Sequence, residues 1–440
     1  MAMPWIKRVL RRMPMLNLGG WLVAGWLVAG LLVTQSGCEP AYRELKERGL
    51  PISVAGFVRQ AERNDLEAVR LYLATGITID AVNRSGTTAL MAAAAKGHCG
   101  VVAVLLGQRA KVKRRNQRGE TPLLLAAIGG HAETVRTLIA RGARVEARDD
   151  FGYTPLMQAA SHGHAATLAA LLKLGAVVKV RRKNGDTALS FAVRFGHLPA
   201  AKVLVGHGAR VNGRSSRGAF PLLRAARHPE LLVFLLASGA RVKMTDEEGN
   251  SALLEAAARG GSASLSILLG NGAQVNARNN RGVSALHYAA LRGNLDSARL
   301  LLAGGADANA RNRLGLTVAM WAALGGNPRI AEALAAKGAD LNAVGPRGLT
   351  ALIFAAAAGR DPMAKRLVAL GARVNAANTK GETALMWAAA KGRRRMVEML
   401  LAAGALPGMR NRAGSTARDL AQSFGHAPIA ALIAEAEAGR

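Results

Sequence analysis

Nine histidines and two cysteines are the residues of this 440-residue chain from which metal or nucleophilic chemistry could be built. A zinc centre needs several such ligands converging on one ion at about 2 Å. His98, His131, His164 and His197 instead stand 33 residues apart, each directly after a glycine, and His426 falls in the same slot. Regular spacing of that kind puts equivalent residues a whole structural unit apart, so these histidines are expected to cap and pin helices. Only His162 and His164 are neighbours, and no cysteine or acid lies close to them in sequence. Cys38 and Cys99 are too few for a disulfide framework or a paired-cysteine zinc site. Cys99, in an apolar stretch, is expected to be a small core residue. No phosphate loop of the G-x-x-x-x-G-K-[ST] type occurs, and no Ser/His/Asp or Cys/His set is suggested. No enzyme, metal or cofactor is therefore expected.

The elements that carry these residues repeat. Glycines recur at 86, 119, 152, 185, 218, 249, 282, 315, 348, 381 and 414, every step being 33 except 218 to 249, which is 31. Two residues after most of them comes a Thr or Ser that can cap a helix, as in Thr121-Pro122-Leu123, Thr154-Pro155-Leu156 and Ser284-Ala285-Leu286-His287. Proline at the first helical position costs no hydrogen bond. Paired alanines follow (Ala126-Ala127, Ala388-Ala389), then a Gly-His or Gly-X turn. A second apolar helix then ends at Gly-Ala, as at Gly142-Ala143 and Gly371-Ala372, where glycine supplies a left-handed cap. Half the residues are hydrophobic but only 4% are aromatic, which suits many short, closely packed helices.

These residues closely resemble the ankyrin repeat, with its period of 33 and its Thr-Pro-Leu-His signature. The resemblance covers residues 52–440 and implies an all-α repeat solenoid of about twelve stacked helix-turn-helix units joined by hairpin loops. Units are expected to begin near 52, 86, 119, 152, 185, 218, 249, 282, 315, 348, 381 and 414, the degenerate first and the last acting as caps. Three departures stand out. Arg109 replaces a cap glycine, Phe220 replaces a capping Thr, and the unit running through Arg227-His228-Pro229-Glu230 is two residues short. Strain is expected at the first and a local irregularity at the last.

Residues 1–37 read as a signal peptide or membrane anchor, and 38–51 as a linker. Lys7, Arg8, Arg11 and Arg12 precede the apolar run Leu18–Val33. Ser36-Gly37-Cys38 resembles the end of a bacterial lipobox, which would make Cys38 a lipidation site, although Gln35 stands where that pattern has an apolar residue. The same run, if uncleaved, reads as a short spanning helix. Both readings leave the rest of the chain membrane-anchored and outside the cytoplasm, which is the periplasmic side if the cell is bacterial.

The chain carries 59 Lys and Arg against 28 Asp and Glu, a net charge of +31. Many of the cations fall on hairpin tips: Lys111, Lys113, Arg114, Arg115 and Arg118; then Lys179, Arg181, Arg182 and Lys183; then Arg210, Arg214 and Arg217; then Arg281, Arg313 and Arg347. Tyr153 belongs to the same set of candidate partner-binding residues, while Asp149-Asp150 and Asp246-Glu247-Glu248 break the pattern. The resemblance implies that partners meet a concave face formed by hairpin tips and first helices. Two functions fit: a protein-binding scaffold with an acidic partner, or a binder of anionic lipid or envelope polyanion. Export disfavours nucleic acid, and the array is expected to be monomeric. Tyr288, Trp321, Phe354 and Trp387 occupy one slot of successive first helices and are expected to serve core packing.

Overall fold

The computed structural model describes residues 38–259 and 261–439. The basic segment, the apolar run and Ser36-Gly37 lie outside them. Among the described residues the chain is helical, with no strand longer than isolated bridges such as Thr245 with Ser251 and Arg278 with Ser284. None of these helices is long and apolar enough to cross a membrane. The fold divides into two compact units between Val177 and Val178.

In the first unit, residues 38–51 are not a linker. Cys38–Glu47 is a helix that buries Ala41 and Leu45 and packs on Leu66–Ala74. The i, i+4 spacing of those two apolar residues puts them on one stripe, which is enough to dock a polar helix. Arg48 then bridges Asp65 at 3.2 Å and Glu67 at 3.3 Å. Helix pairs follow at 54–74, 89–107, 122–140 and 155–173. The second unit continues the pattern from Ala188–Arg194 and Leu198–Gly206 to Ala417–Ser423 and Ala427–Ala438.

Local chemistry sets the helix ends. Thr88, Thr121 and Thr154 accept from the third backbone N–H of their helices at 3.2–3.3 Å, and Thr317, Thr350, Thr383 and Thr416 do the same at 3.3–3.4 Å. Each such cap contributes about 1 kcal/mol. Gly142, Gly208, Gly272 and Gly371 close second helices with φ between +82° and +87°, and nothing lies where their Cβ would be. Glycine is needed there for conformation alone. Arg109 occupies the same position at φ +63°, a backbone strain of about 1–2 kcal/mol.

The turn between helices is different. His98, His131 and His164 each bring Nε2 to a carbonyl 36 residues back, those of Glu62, Ala95 and Ile128, at 2.8–3.0 Å. Each ring thereby ties its turn to the end of the preceding first helix. Asn327 and Arg360 perform the same task at the Gly293 and Leu324 carbonyls. The ring of His164 sits 2.6 Å from where a Cβ on Gly130 would lie, so that glycine is required by space as well as by its φ of +81°.

The short unit is irregular as expected. Phe220 offers no side-chain cap, and the first helix is only Pro221–Arg224 followed by a 3-10 turn at Ala225–Arg227. Beside it Arg224 reaches Asp186 at 2.7 Å in a nearly buried ion pair. Burial pushes the Arg224 guanidinium below its ordinary range, Asp186 opposing that shift and Arg194 adding to it.

Candidate functional site

The hairpin tips are built from the backbone outwards. Asn116, Asp149, Asp246, Asn279, Asn312, Asn378 and Asn411 occupy one slot. In each, Oδ1 accepts from the N–H groups two and four residues on, at 2.7–3.0 Å. Asp149 and Asp246 are therefore hairpin-closing acceptors rather than surface acids, and Asp149 is buried. Neighbouring tips are joined by backbone bonds, such as Asp150 N–H to the Arg118 carbonyl in the first unit (3.1 Å). In the second, Arg313 N–H donates to Arg281 and Arg412 N–H to Lys380 (2.9 and 2.8 Å).

The basic candidates sort into two groups. The first are staples. Arg214 donates to its own tip carbonyl at Gly218 and to Thr245 on the next hairpin (3.4 and 2.6 Å). Arg181 does the same at Gly185 and Arg214, and Arg311 at Gly315 and Val344. Arg115 is spent on Asp150 at 2.7 Å. Arg182 is half-buried with its guanidinium 5.9 Å from the Phe191 ring, and Tyr153 is half-buried in the hairpin that Asp149 closes.

The second group projects into solvent. Lys111, Lys113, Arg114 and Arg118 are exposed on one tip of the first unit. Lys183, Arg217, Arg281, Arg313 and Arg347 are exposed in the second, the last at φ +58°. The aromatic slot lies beside these last tips. Tyr288, Trp321, Phe354 and Trp387 are largely covered but not fully buried, and the indole nitrogens of Trp321 and Trp387 face inward. Tyr288 and Trp321 meet edge to face at 6.0 Å, and Trp387 walls a cavity of about 260 Å³ with Leu420 and Phe424. Leu314 is 71% exposed and Phe424 61% exposed on the same stretch. The sequence signal for this surface was the run of four successive aromatics at a slot filled by Leu125, Gln158, Phe191, Arg224 and Glu255 in earlier units, of which Phe191 is buried.

The remaining candidates are structural. His162 bonds to Ser161 and Gln158 and stacks on His164 at 6.0 Å. Cys99 is half-buried with Sγ 3.3 Å from the Thr134 hydroxyl. His287 is buried, its Nδ1 2.8 Å from the Ser284 hydroxyl and 3.3 Å from that residue's N–H. Burial lowers its pKa from 6.5 to about 4, opposed by backbone groups of Leu316 and Ala310 that lie near it. Among the described residues no group of three or more His, Cys, Asp or Glu could hold a metal.

A family model for ankyrin repeats in three copies matches residues 57–149, 144–215, 222–312, 301–378, 319–411 and 363–439. The chain belongs to the ankyrin-repeat family. No curated protein matches it in a sequence search. Ankyrin repeats generally mediate protein–protein interaction and are typically non-enzymatic scaffolds.

Proposed function

We propose that this ankyrin-repeat protein is a scaffold that binds an acidic protein segment along the first-helix face of residues 282–424. The observation that carries the reading is the run of partly exposed Tyr288, Trp321, Phe354 and Trp387, with strongly exposed Leu314 and Phe424, beside exposed Arg281, Arg313 and Arg347. Aromatic anchors rimmed by cations are what a tight, charge-selected protein interface requires. Leu314→Glu with Phe424→Glu changes two exposed side chains and should leave the fold intact while abolishing partner capture from a membrane extract. Unchanged capture by the folded variant would refute this face as the interface. A second reading, binding of anionic lipid or an envelope polyanion, is supported by exposed Lys111, Lys113, Arg114 and Arg118 on one tip. It predicts capture that persists in the Leu314/Phe424 variant and is lost at high salt.

The proposal places the scaffold at a membrane, outside the cytoplasm, held by its first 37 residues or by a lipid on Cys38. Support comes from the basic segment, the apolar run and Ser36-Gly37-Cys38. Cys38→Ala should release a lipidated protein or leave its precursor unprocessed. Unchanged size and retention would assign an uncleaved anchor instead. A cytoplasmic reporter fused after Arg440 would overturn both.

A further inference from the structure

A cavity of about 680 Å³ opens between two consecutive hairpins of the second unit, lined by Lys179, Arg181, Arg210 and Arg214 and by no carboxylate. Its volume lies within the roughly 300–1,000 Å³ typical of small-molecule sites. Its walls include Val178, Val211 and Ala209, which offer contact to an uncharged body. Lys179 and Arg210 are exposed and form no ion pair among the described residues. The nearby Asp186 is turned into its pair with Arg224, so it does not neutralise the cavity. Both hairpins also lack the Asn or Asp of the tip slot, which holds Arg182 in one and Ser215 in the other.

The first unit contains an internal comparison. A cavity of about 460 Å³ there is lined by Lys113, Arg115, Arg144 and Arg148, which precede Lys179, Arg181, Arg210 and Arg214 by two repeat lengths. Its wall carries Glu146 where the larger cavity has Asn212. Both side chains hold the following loop through one oxygen, Glu146 at the Val177 N–H (2.8 Å) and Asn212 at the Arg241 N–H (2.9 Å). The acceptor role is thus shared, Asn212 adding an Nδ2 donation to the Gly239 carbonyl (2.9 Å), and the second unit performs it without a negative charge.

From this we infer that the 680 Å³ cavity is a binding site for a phosphate monoester or polyphosphate group, with Lys179 and Arg210 as its principal charge donors. The site is independent of the aromatic face assigned to protein binding. Phosphate suits it because the Lys179 ammonium on one hairpin and the Arg210 guanidinium on the next can meet a multiply charged anion together. The phosphate can belong to a soluble compound or to a lipid headgroup.

Calorimetric titration of the full chain with inorganic pyrophosphate, and flotation with phosphatidylcholine vesicles containing phosphatidic acid, distinguish these sources. Binding in either assay is expected to fall about tenfold or more in Lys179→Ala/Arg210→Ala, since charge-assisted contacts are lost. Asn212→Glu, which restores the first unit's arrangement, should have the same effect with an unchanged circular dichroism spectrum. Arg144→Ala, which removes the corresponding cation from the first unit's cavity, should bind pyrophosphate as the unaltered protein does. Absence of binding in both assays, an equal loss in Arg144→Ala, or an Asn212→Glu protein that binds normally would overturn the assignment.

Discussion

Acidification should loosen the second unit through one buried side chain. His287 lies fully buried between Ser284, whose N–H and hydroxyl occupy Nδ1, and the backbone of the next unit near Leu316 and Ala310. Accepting the Ser284 N–H fixes the neutral tautomer with its proton on Nε2. The pKa is about 4 in the folded chain and 6.5 when exposed, so the unfolded state takes up a proton first as pH falls. The stabilisation is complete above pH 6.5 and is lost progressively down to about pH 4. A difference of that size corresponds to about 3 kcal/mol. Other units carry Met157, Met320 or Met386 in the slot of His287, so His287→Met should pack without a titrating group. Urea unfolding followed by tryptophan fluorescence is a suitable assay, since Trp321 meets the His287 ring edge-on at 5.4 Å. The unaltered chain should lose stability between pH 6.5 and 4 more steeply than His287→Met. The other histidines are common to both proteins and cancel in the comparison. Parallel pH profiles for the two would refute the argument.

Gly142→Ala should cost about 1–2 kcal/mol, because only its left-handed backbone is at stake. Gly130→Ala should cost clearly more by the same unfolding measurement, because the His164 ring occupies the space. Arg224→Met leaves Asp186 buried without its partner and should destabilise by about 3 kcal/mol or more, whereas the double change with Asp186→Asn should recover most of the loss. Amide exchange should be faster across Arg224–Glu230, where a four-residue helix gives way to a 3-10 turn, than across Leu123–Leu138; equal rates would show that the short unit is no weak point.

The repeat, its capping threonines and its left-handed glycines were legible because each depends on a few adjacent residues. Thr121 and Pro122 define a helix start whatever surrounds them. The helix at Cys38–Glu47 was missed because only Ala41 and Leu45 mark its apolar side, and what they cover, Leu66–Ala74, lies some twenty residues on. The aromatic slot was assigned to the core because large apolar side chains are usually buried area. Partial exposure is not a property of the slot itself, since Phe191 holds the same slot and is buried; it depends on the neighbouring side chains, which periodicity does not specify.

The basic tips show how periodicity could have been read further. A side chain that keeps its type at one slot is being used by the repeat itself. Arg181, Arg214 and Arg311 recur because each guanidinium bridges a tip to the next hairpin, a contact that exists only between units. A slot that alternates between a charged residue and its neutral isostere is used for an atom that both share. Asp149 and Asp246 alternate with Asn116 and Asn279 because the hairpin needs one side-chain oxygen, not a charge. Glu146 and Asn212, though not isosteric, share the acceptor role, since either oxygen holds the following loop. The loop is thus held with or without a negative charge. At Asn212 its absence leaves four cations around a cavity with nothing on the wall to oppose them, and it is there that the repeat's regularity gives way to a feature particular to this chain.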